Sequence, residues 1–394
     1  MMKFEKLGNI ADIIAGQSPP SSTYNSEGKG IPFFQGKADY GEKYPSVRYW
    51  CTEPTKISLP NDILISMRAP VGPVNINIVE SCIGRGLSAI RVKNNVSRDF
   101  IYFWLKQNQH IIAAKETGST FKAITQKILN EIVVPFPSYP DQLHIANLLS
   151  KAETLIAQRK ESIRLLDEFL KSTFLEMFYN NSEIENWDEV KFEELAEKKK
   201  ASMRSGPFGS SLLHGEFTET GDVKVLGIDN VVSNRFTWKR SRCITNEKFK
   251  ELKRYQVFPN DVLISIMATL GRTAVVPNDI PLCINSKHLA AITLDKKIAN
   301  PYFVAYAFHS HPLIVRQMTN NVKGAIMDGL NLTIIRKIKM KLPPVELQNM
   351  FGETFEKSEA LKTQYQQSLQ ELENLYGSLS QRAFKGELSK KRIT

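Results

Sequence analysis

One unit is written twice in this chain, and that duplication limits the possible fold more than any single motif. LPNDILISMRAPVG, Leu59 to Gly72, returns as FPNDVLISIMATLG, Phe258 to Gly271, at an offset of 199 positions. Upstream, IPFFQGKAD (Ile31 to Asp39) matches VKVLGIDNV (Val223 to Val231) at 192. Downstream, CIGRGLSAI (Cys82 to Ile90) matches CINSKHLAAI (Cys283 to Ile292) with one more residue, and Gly118 aligns with Gly324 at 206. The order never breaks, and the offset grows through an insertion near Phe249 to Tyr255. One hexapeptide is coincidence; a collinear series means two copies of a unit of about 190 residues, far longer than a solenoid repeat.

A chain of 394 residues, 42% hydrophobic, is long enough for two such cores. The runs DILISM, VNINIV and LSAIRV, with their partners DVLISIM, TAVVP and LAAITL, read as strands bounded by Pro, Gly, Asn and Asp. A helix follows in each copy, expected at Ser97 to Ala114 and at Asn300 to Met318. The expected class is α+β, with two similar globules in a pseudo-twofold internal repeat. Cys51, Cys82, Cys243 and Cys283 fall two to a copy with no C-x-x-C pair, so neither a disulfide framework nor a zinc site is expected. A reducing cytoplasm fits that usage. The N-terminal apolar run is too short for a signal peptide, and no apolar stretch is long enough to span a membrane.

Each copy ends in a long helical pattern. From Asp141 to Asn180 there is no Gly or Pro, and Ile145, Leu149, Ala152, Ile156, Arg159, Ile163, Leu166, Leu170, Thr173 and Met177 step four and three, as a heptad seam does. Ser138 and Asp141 resemble a capping box. The second pattern runs from Val345 to Phe384 along Leu347, Phe351, Thr354, Ser358, Leu361, Tyr365, Ser368, Leu372, Leu375 and Leu379, after Pro343 and Pro344. Gly352 and Gly377 are expected to interrupt it, so the two helices are expected to need each other and to pair antiparallel. Leu165, Phe169 and Phe174 lie outside the seam as candidate partner-facing residues, with Glu161, Arg164, Glu168 and Lys171 on an exposed face. An ordinary amphipathic helix packed on its own globule is the competing reading.

Charge points to the partner. With 52 Lys+Arg against 41 Asp+Glu the net charge is +11, which suits a polyanion, nucleic acid before others. Enzyme chemistry is not visible: there is no phosphate-binding G-x-x-x-x-G-K-[ST], no G-x-G-x-x-G after a strand, and no close metal spacing among the six histidines. Asp229 with Glu251 and Lys253 is the nearest nuclease-like set, a combination common by chance in a charged chain.

These features together resemble the DNA-specificity subunits of type I restriction-modification systems. The resemblance rests on the two collinear units with their PNDILIS and PNDVLIS strands and on the stretches Gly-Ser-Thr-Phe-Lys-Ala-Ile and Lys-Gly-Ala-Ile. It rests also on the openings IVVPFPSYPDQLHIANLL and IKMKLPPVELQNMF of the long helices, and on the closing LYGSLSQRAFKGEL. It implies two target-recognition domains, at 1–140 and 187–343, joined by long antiparallel coiled-coil helices at 141–180 and 344–388, with a basic tail at 389–394. Each domain would read one half of a split double-stranded DNA site, and the helices would set the spacer. The resemblance further implies two methyltransferase subunits and restriction or translocase subunits as partners. S-adenosylmethionine and catalysis would belong to those partners, with no cofactor on this chain.

For DNA the useful side chains are donors and acceptors on loops, since base edges need bidentate partners and phosphates need charge. Gln17 lies in the Gly/Pro/Ser loop that matches Ser205 to Ser211. Gln35 and Lys37, with Asp229 and Asn230, end equivalent strands, where turn capping is the rival role. Arg68 and Arg272 flank Gly72 and Gly271. Arg85 stands between two glycines, and the partner loop offers Asn285, Ser286, Lys287 and His288. Ser119, Thr120 and Lys122, with Lys323, precede the long helices. A solvated basic turn is the competing reading for each. Two other functions stay open on the sequence: a stand-alone nuclease using Asp229, Glu251 and Lys253, and a non-specific DNA-binding adaptor.

Overall fold

A computed structural model describes residues 3–116, 122–323 and 329–388. The chain divides into two units, residues 1–161 with 367–394 and residues 162–366. The expected tail at 389–394 lies outside the described residues.

The duplicated strand is the centre of a sheet in each unit. In the first, Ile63–Ser66 lies between Leu87–Val92 and Val74–Ile76, with Ala11–Ala15 at the edge beyond Leu87–Val92. In the second, Val262–Ser265 lies between Leu289–Ile292 and Thr273–Val275, with Met203–Ser205 at the edge. All pairings are antiparallel, and the register is kept: Ile63 faces Ile90 and Ser66 faces Leu87, as Val262 faces Ile292 and Ser265 faces Leu289. Ile63, Leu64 and Ile65 are fully buried, each worth about 1.5–3 kcal/mol of transfer free energy.

The Pro-Asn-Asp before each strand is a turn built around a buried carboxylate. Asn61 and Asn260 sit at φ 77° and 68°, a left-handed conformation that Asn tolerates. Asp62 accepts the N–H of Leu59 at 2.8 Å, and Asp261 that of Phe258 at 2.7 Å. Each carboxylate has a cation of different origin. Arg91, on the strand paired with Ile63–Ser66, donates Nε and Nη2 to Asp62 at 2.9 Å each. Arg204, from the edge strand, pairs with Asp261, which also takes the Thr293 hydroxyl at 2.6 Å.

A second sheet in each unit holds the cysteines. Ile31–Phe34 pairs in parallel with Ser81–Ile83, and Val223–Leu226 with Cys283–Asn285. All four thiols are free and buried, and burial pushes that of Cys283 up to about 12. They act as small apolar side chains.

The helix expected at Ser97 to Ala114 is two helices, Arg98–Gln107 and Gln109–Ala113, broken where Asn108 turns its Nδ2 back to the Trp104 carbonyl at 2.8 Å. The one expected at Asn300 to Met318 is also two, Pro301–Ser310 and Pro312–Lys323. Pro312 excludes His311 from the helical region, leaving it at ψ 119°.

Both long helices are 40 residues, Tyr139–Phe178 and Val345–Phe384, about 60 Å of rise each. Ser138 opens the first, accepting the Asp141 N–H at 3.4 Å and donating to its carboxylate at 2.6 Å. Gly352 and Gly377 do not interrupt the second. At Gly352 the helix passes Asn300 so closely that a Cβ would lie 2.8 Å from Nδ2, so a larger residue would have to displace this capping side chain. Equivalent glutamines fasten each helix to its globule: Gln142 accepts the Ser97 N–H at 2.9 Å and Gln348 that of Asn300 at 2.9 Å. Both are fully buried.

Within each unit the helices pair antiparallel. In the first, Lys160 meets Glu373 at 3.2 Å, and the Tyr376 hydroxyl lies 3.5 Å from Glu153. In the second, Lys362 pairs with Asp167, and Phe351 packs on Phe174 and Phe178 at centroid distances of 5.3 and 5.7 Å. The helices also pack on the globules, so the two readings of the heptad pattern combine. The seam residues of the first helix are all buried or half-buried. Leu165 and Phe169 are exposed, but Phe174 is fully buried, a correction to its expected partner-facing role.

His309, on Pro301–Ser310, lies 2.8 Å from Thr273 Oγ1 and 2.9 Å from the Ala305 carbonyl. Burial, with Arg272 nearby, holds its pKa down to about 4. The unfolded chain therefore takes up this proton near pH 6.5 and the folded unit only near 4, so stability falls as pH drops across that window. The expected loss is about 3 kcal/mol, read as a fall in urea midpoint that a His309→Gln variant flattens. Parallel pH profiles for the two proteins would exclude this linkage.

Candidate nucleic-acid interface

The loops at one end of the central sheet are drawn together by backbone contacts. In the first unit Gly16 donates to Leu87 at 2.9 Å, Gln17 to Ile83 at 3.0 Å, and Gly84 to Phe34 at 2.8 Å. The approach is close enough to require glycine: a Cβ on Gly16 would lie 2.2 Å from the Gly84 oxygen, and one on Gly86 2.5 Å from that of Gln35. Met67 then donates to Gly86 at 2.8 Å and Ile124 to Met67 at 3.0 Å. Gln17, Gln35, Lys37, Arg68, Arg85 and Lys122 are all exposed on these five loops. Lys122 pairs with Glu116 at 3.7 Å, whereas Lys37, Arg68 and Arg85 form no ion pair among the described residues.

Four of these five bonds recur in the second unit; Pro207, following Gly206 as Gln17 follows Gly16, has no N–H to donate. Gly206 donates to Leu289 at 3.3 Å, Ser286 to Leu226 at 2.8 Å, Ile266 to His288 at 2.9 Å and Leu330 to Ile266 at 3.1 Å. These bonds make Lys287 the counterpart of Arg85, and both are exposed tips. His288 replaces Gly86; burial, then Lys287 and Arg242, lower its pKa.

The turn after the parallel strand is capped from within. Asp39 takes the N–H groups of Gln35 and Gly36 at 2.7 and 3.2 Å, and Arg48 Nε at 2.8 Å, which leaves Gln35 and Lys37 outward. Asn230 is the counterpart of Asp39 and takes the Gly227 N–H at 2.8 Å while donating to Thr237 at 2.8 Å. Asn230 is therefore a buried turn cap, not a contact tip. Asn285 is likewise corrected to framework, fully buried with Nδ2 on the Leu289 carbonyl at 2.8 Å, and Ser286 is nearly buried beside it.

Asp229 pairs with Arg242, whose guanidinium covers Gly227. Glu251 pairs with Lys248 at 3.0 Å, so the carboxylates of the nuclease-like set are engaged in ion pairs. Among the described residues no group of three or more His, Cys, Asp and Glu is placed to hold a metal.

Arg68 and Arg272 are not equivalent. Ser66 donates to Pro73 at 2.9 Å and Ser265 to Arg272 at 2.8 Å, so Arg272 takes the place of Pro73 and borders His309. Ser119 and Thr120, and the side chain of Lys323, lie outside the described residues. Arg242, half-buried over Gly227, was not among the expected contacts; in the sequence it closes the run Lys239-Arg240-Ser241-Arg242. Phe208, 47% exposed in the Gly206–Gly209 loop, was also missed; an aromatic framed by Gly-Pro and Gly was its signal. Chemically the first unit offers amide and guanidinium tips able to bond two atoms of one base, and the second offers an ammonium, an imidazole and an Arg–Asp pair.

The model of the type I restriction modification DNA specificity domain matches residues 1–165 and again 184–374. The putative type I restriction enzyme MjaX specificity subunit of Methanocaldococcus jannaschii is 46% identical over 160 residues, 40% of this chain and 38% of that protein. That match therefore spans well under half of the relative's length. The type I restriction enzyme EcoBI specificity subunit of Escherichia coli is 22% identical over 419 residues, 97% of this chain and 85% of the relative. The crystal structure of the type I restriction-modification S subunit from M. genitalium shares the fold, with TM-score 0.63 at 18% identity over 98% of this chain and 96% of that one. With both copies of the repeat matched by one domain model, the chain belongs to the type I restriction modification DNA specificity family.

Proposed function

We propose that this chain is the sequence-reading subunit of a type I restriction-modification complex. Each unit reads one half of a bipartite double-stranded site. One observation carries the reading: two sheets of identical order and register present the same strand-end loops with different exposed side chains. A shared scaffold with different tips is what two different half-sites require. Reading is by Gln17, Gln35, Lys37, Arg68, Arg85 and Lys122 in one unit and by Lys287, His288 and the Asp229–Arg242 pair in the other.

The chain itself is non-catalytic in this proposal, and S-adenosylmethionine and the methylation chemistry reside on two methyltransferase subunits. Those subunits dock on the exposed apolar residues of the long helices, among them Leu165, Phe169, Met350 and Leu375. A restriction or translocating subunit completes the assembly. The setting is the cytoplasm, where the DNA is; no described helix is long and apolar enough to cross a membrane.

The test is methylation-site sequencing in cells carrying this chain with its methyltransferase. Arg85→Ala and Lys122→Ala are expected to weaken discrimination at one half-site alone, by about 1–3 kcal/mol for each lost bidentate contact. Lys287→Ala is expected to affect only the other. Uniform loss on every DNA sequence would reduce these residues to phosphate contacts and favour the non-specific adaptor.

A further inference from the structure

Glu153 and Glu359 occupy the same place on the two long helices: 206 positions separate them, as 206 separate Tyr139 and Val345 where the helices begin. Both carboxylates are about four-fifths buried, with side-chain exposures of 19% and 21%. Each faces a cation from the loop that follows the parallel strand of its own unit. Lys43 Nζ lies 4.0 Å from Glu153, which also takes Lys106 Nζ at 2.6 Å. Arg235 Nε lies 2.6 Å from Glu359 and its Nη2 3.2 Å from Asp167. Burial raises the Glu359 pKa, and Arg235 and Lys362 oppose the rise.

That loop is the one that begins with a reading tip. In the first unit it leaves Phe34, exposes Gln35 and Lys37, closes on Asp39, and then runs to Lys43. There the Lys43 carbonyl accepts the Ile76 N–H at 2.9 Å, and its ammonium lies over the Tyr102 and Phe103 rings at 5.8 and 5.7 Å. Ser46 returns to the Asp39 carbonyl at 2.8 Å, so the tip and the latch are ends of one braced turn. In the second unit the loop leaves Leu226, carries Asp229, closes on Asn230, and reaches Arg235. Thr237 returns to the Asn230 carbonyl at 3.1 Å, and Asn234 Oδ1 takes the Thr273 N–H at 3.3 Å.

A purely stabilising role is a poor account of this arrangement. Gln142 and Gln348 together with the apolar core already fasten each helix to its globule. The carboxylate meets the reading loop in both copies, although the cation changes from lysine to arginine and the loop sequence is different. We propose that Glu153 and Glu359 are positioning residues for base reading: through Lys43 and Arg235, each long helix fixes the pose of the loop bearing its unit's reading tip. The inference rests on the reading of the strand-end loops as DNA contacts.

The experiment uses the full chain assembled with its methyltransferase subunits and duplex libraries in which one half-site at a time is randomised. Glu359→Gln keeps the shape and removes the charge. It is expected to relax discrimination about tenfold at the half-site read by the second unit, the order of one misplaced base contact, and to leave the other half-site unchanged. Glu153→Gln should do the reverse. Arg235→Gln approaches the same latch from the loop, so a folding defect in a helix variant does not decide the matter. The exchanged pair Arg235→Glu with Glu359→Arg is expected to recover most of the lost discrimination. If both half-sites weaken equally, or if thermal midpoints fall while discrimination is untouched, the latch only stabilises and the proposal is overturned. Wild-type discrimination with unaltered variants overturns the latch alone. A wild-type complex that discriminates at neither half-site overturns the DNA reading itself, and the latch with it.

Discussion

Lengthening both long helices by four residues, after Glu161 in the first and after Gln366 in the second, is expected to move the recognised site to one with a longer unread spacer. These positions are where the two units divide, so each globule keeps its own helix contacts and the antiparallel pairing keeps its register. Four residues add about 6 Å of rise and about 40° of rotation beyond a full turn. One base pair of B-DNA advances about 3.4 Å and turns about 34°, so the rise asks for nearly two base pairs and the rotation for one. The variant should therefore methylate a site with a spacer one or two base pairs longer and with both half-sites unchanged. Affinity for the original site should fall toward that for arbitrary DNA, roughly a thousandfold or more. Methylome sequencing decides it. An active variant with the old spacer, or with new half-site letters, would remove the helical ruler from the account.

The second large effect concerns stability. Asp261 is fully buried and its partner Arg204 is only 5% exposed, so Asp261→Ala leaves a guanidinium in the interior of the second unit. A loss of about 3–5 kcal/mol is expected, the range for breaking a buried ion pair from one side. Burial holds the Asp261 carboxyl above its ordinary pKa even with Arg204 beside it, so desolvation of this pair is only partly repaid. In the first unit the equivalent Asp62→Ala should cost less, about 1–2 kcal/mol, chiefly its turn hydrogen bonds. Arg91 is 38% exposed there, and water takes over the freed charge. Hydrogen exchange at the amides of Ile63–Ser66 and Val262–Ser265 reports each unit separately. Equal losses in the two units would contradict the difference drawn from Arg204 and Arg91.

Much of the fold was legible because its determinants are local or periodic. The Pro-Asn-Asp turn, the four- and three-residue steps of the long helices and the Ser138 cap each act within a few residues. The expected interruption at Gly352 failed because a glycine's helix propensity, about 1 kcal/mol below alanine, is outweighed by tertiary packing of the same turn, where Gln348 and Phe351 are fully buried. The two broken helices were missed for the opposite reason: Asn108 and Pro312 act locally, but an apolar pattern continues across them.

The candidate interface was legible as a set of loops and much less so as a set of side chains. Arg85 and Lys287 stand out because the turns around them carry them to exposed tips. Asn230 and Asn285 have the right chemistry for bases and are spent on the framework. Arg242 comes to Asp229 and Gly227 because its carbonyl accepts the Val225 N–H at 2.8 Å, a pairing across a long loop.

By itself the sequence determined the duplication, the α+β class, the two 40-residue helices and the family, because repeat order, periodicity and turn chemistry are written along the chain. Only the tertiary structure decided which side chains face outward. That direction depends on non-local approaches such as Gly16 against Gly84, on which arginine reaches each buried aspartate, and on the carboxylate each long helix offers to the loop after its unit's parallel strand. Residues far apart in sequence supply those partners, and no local pattern encodes the distance between them.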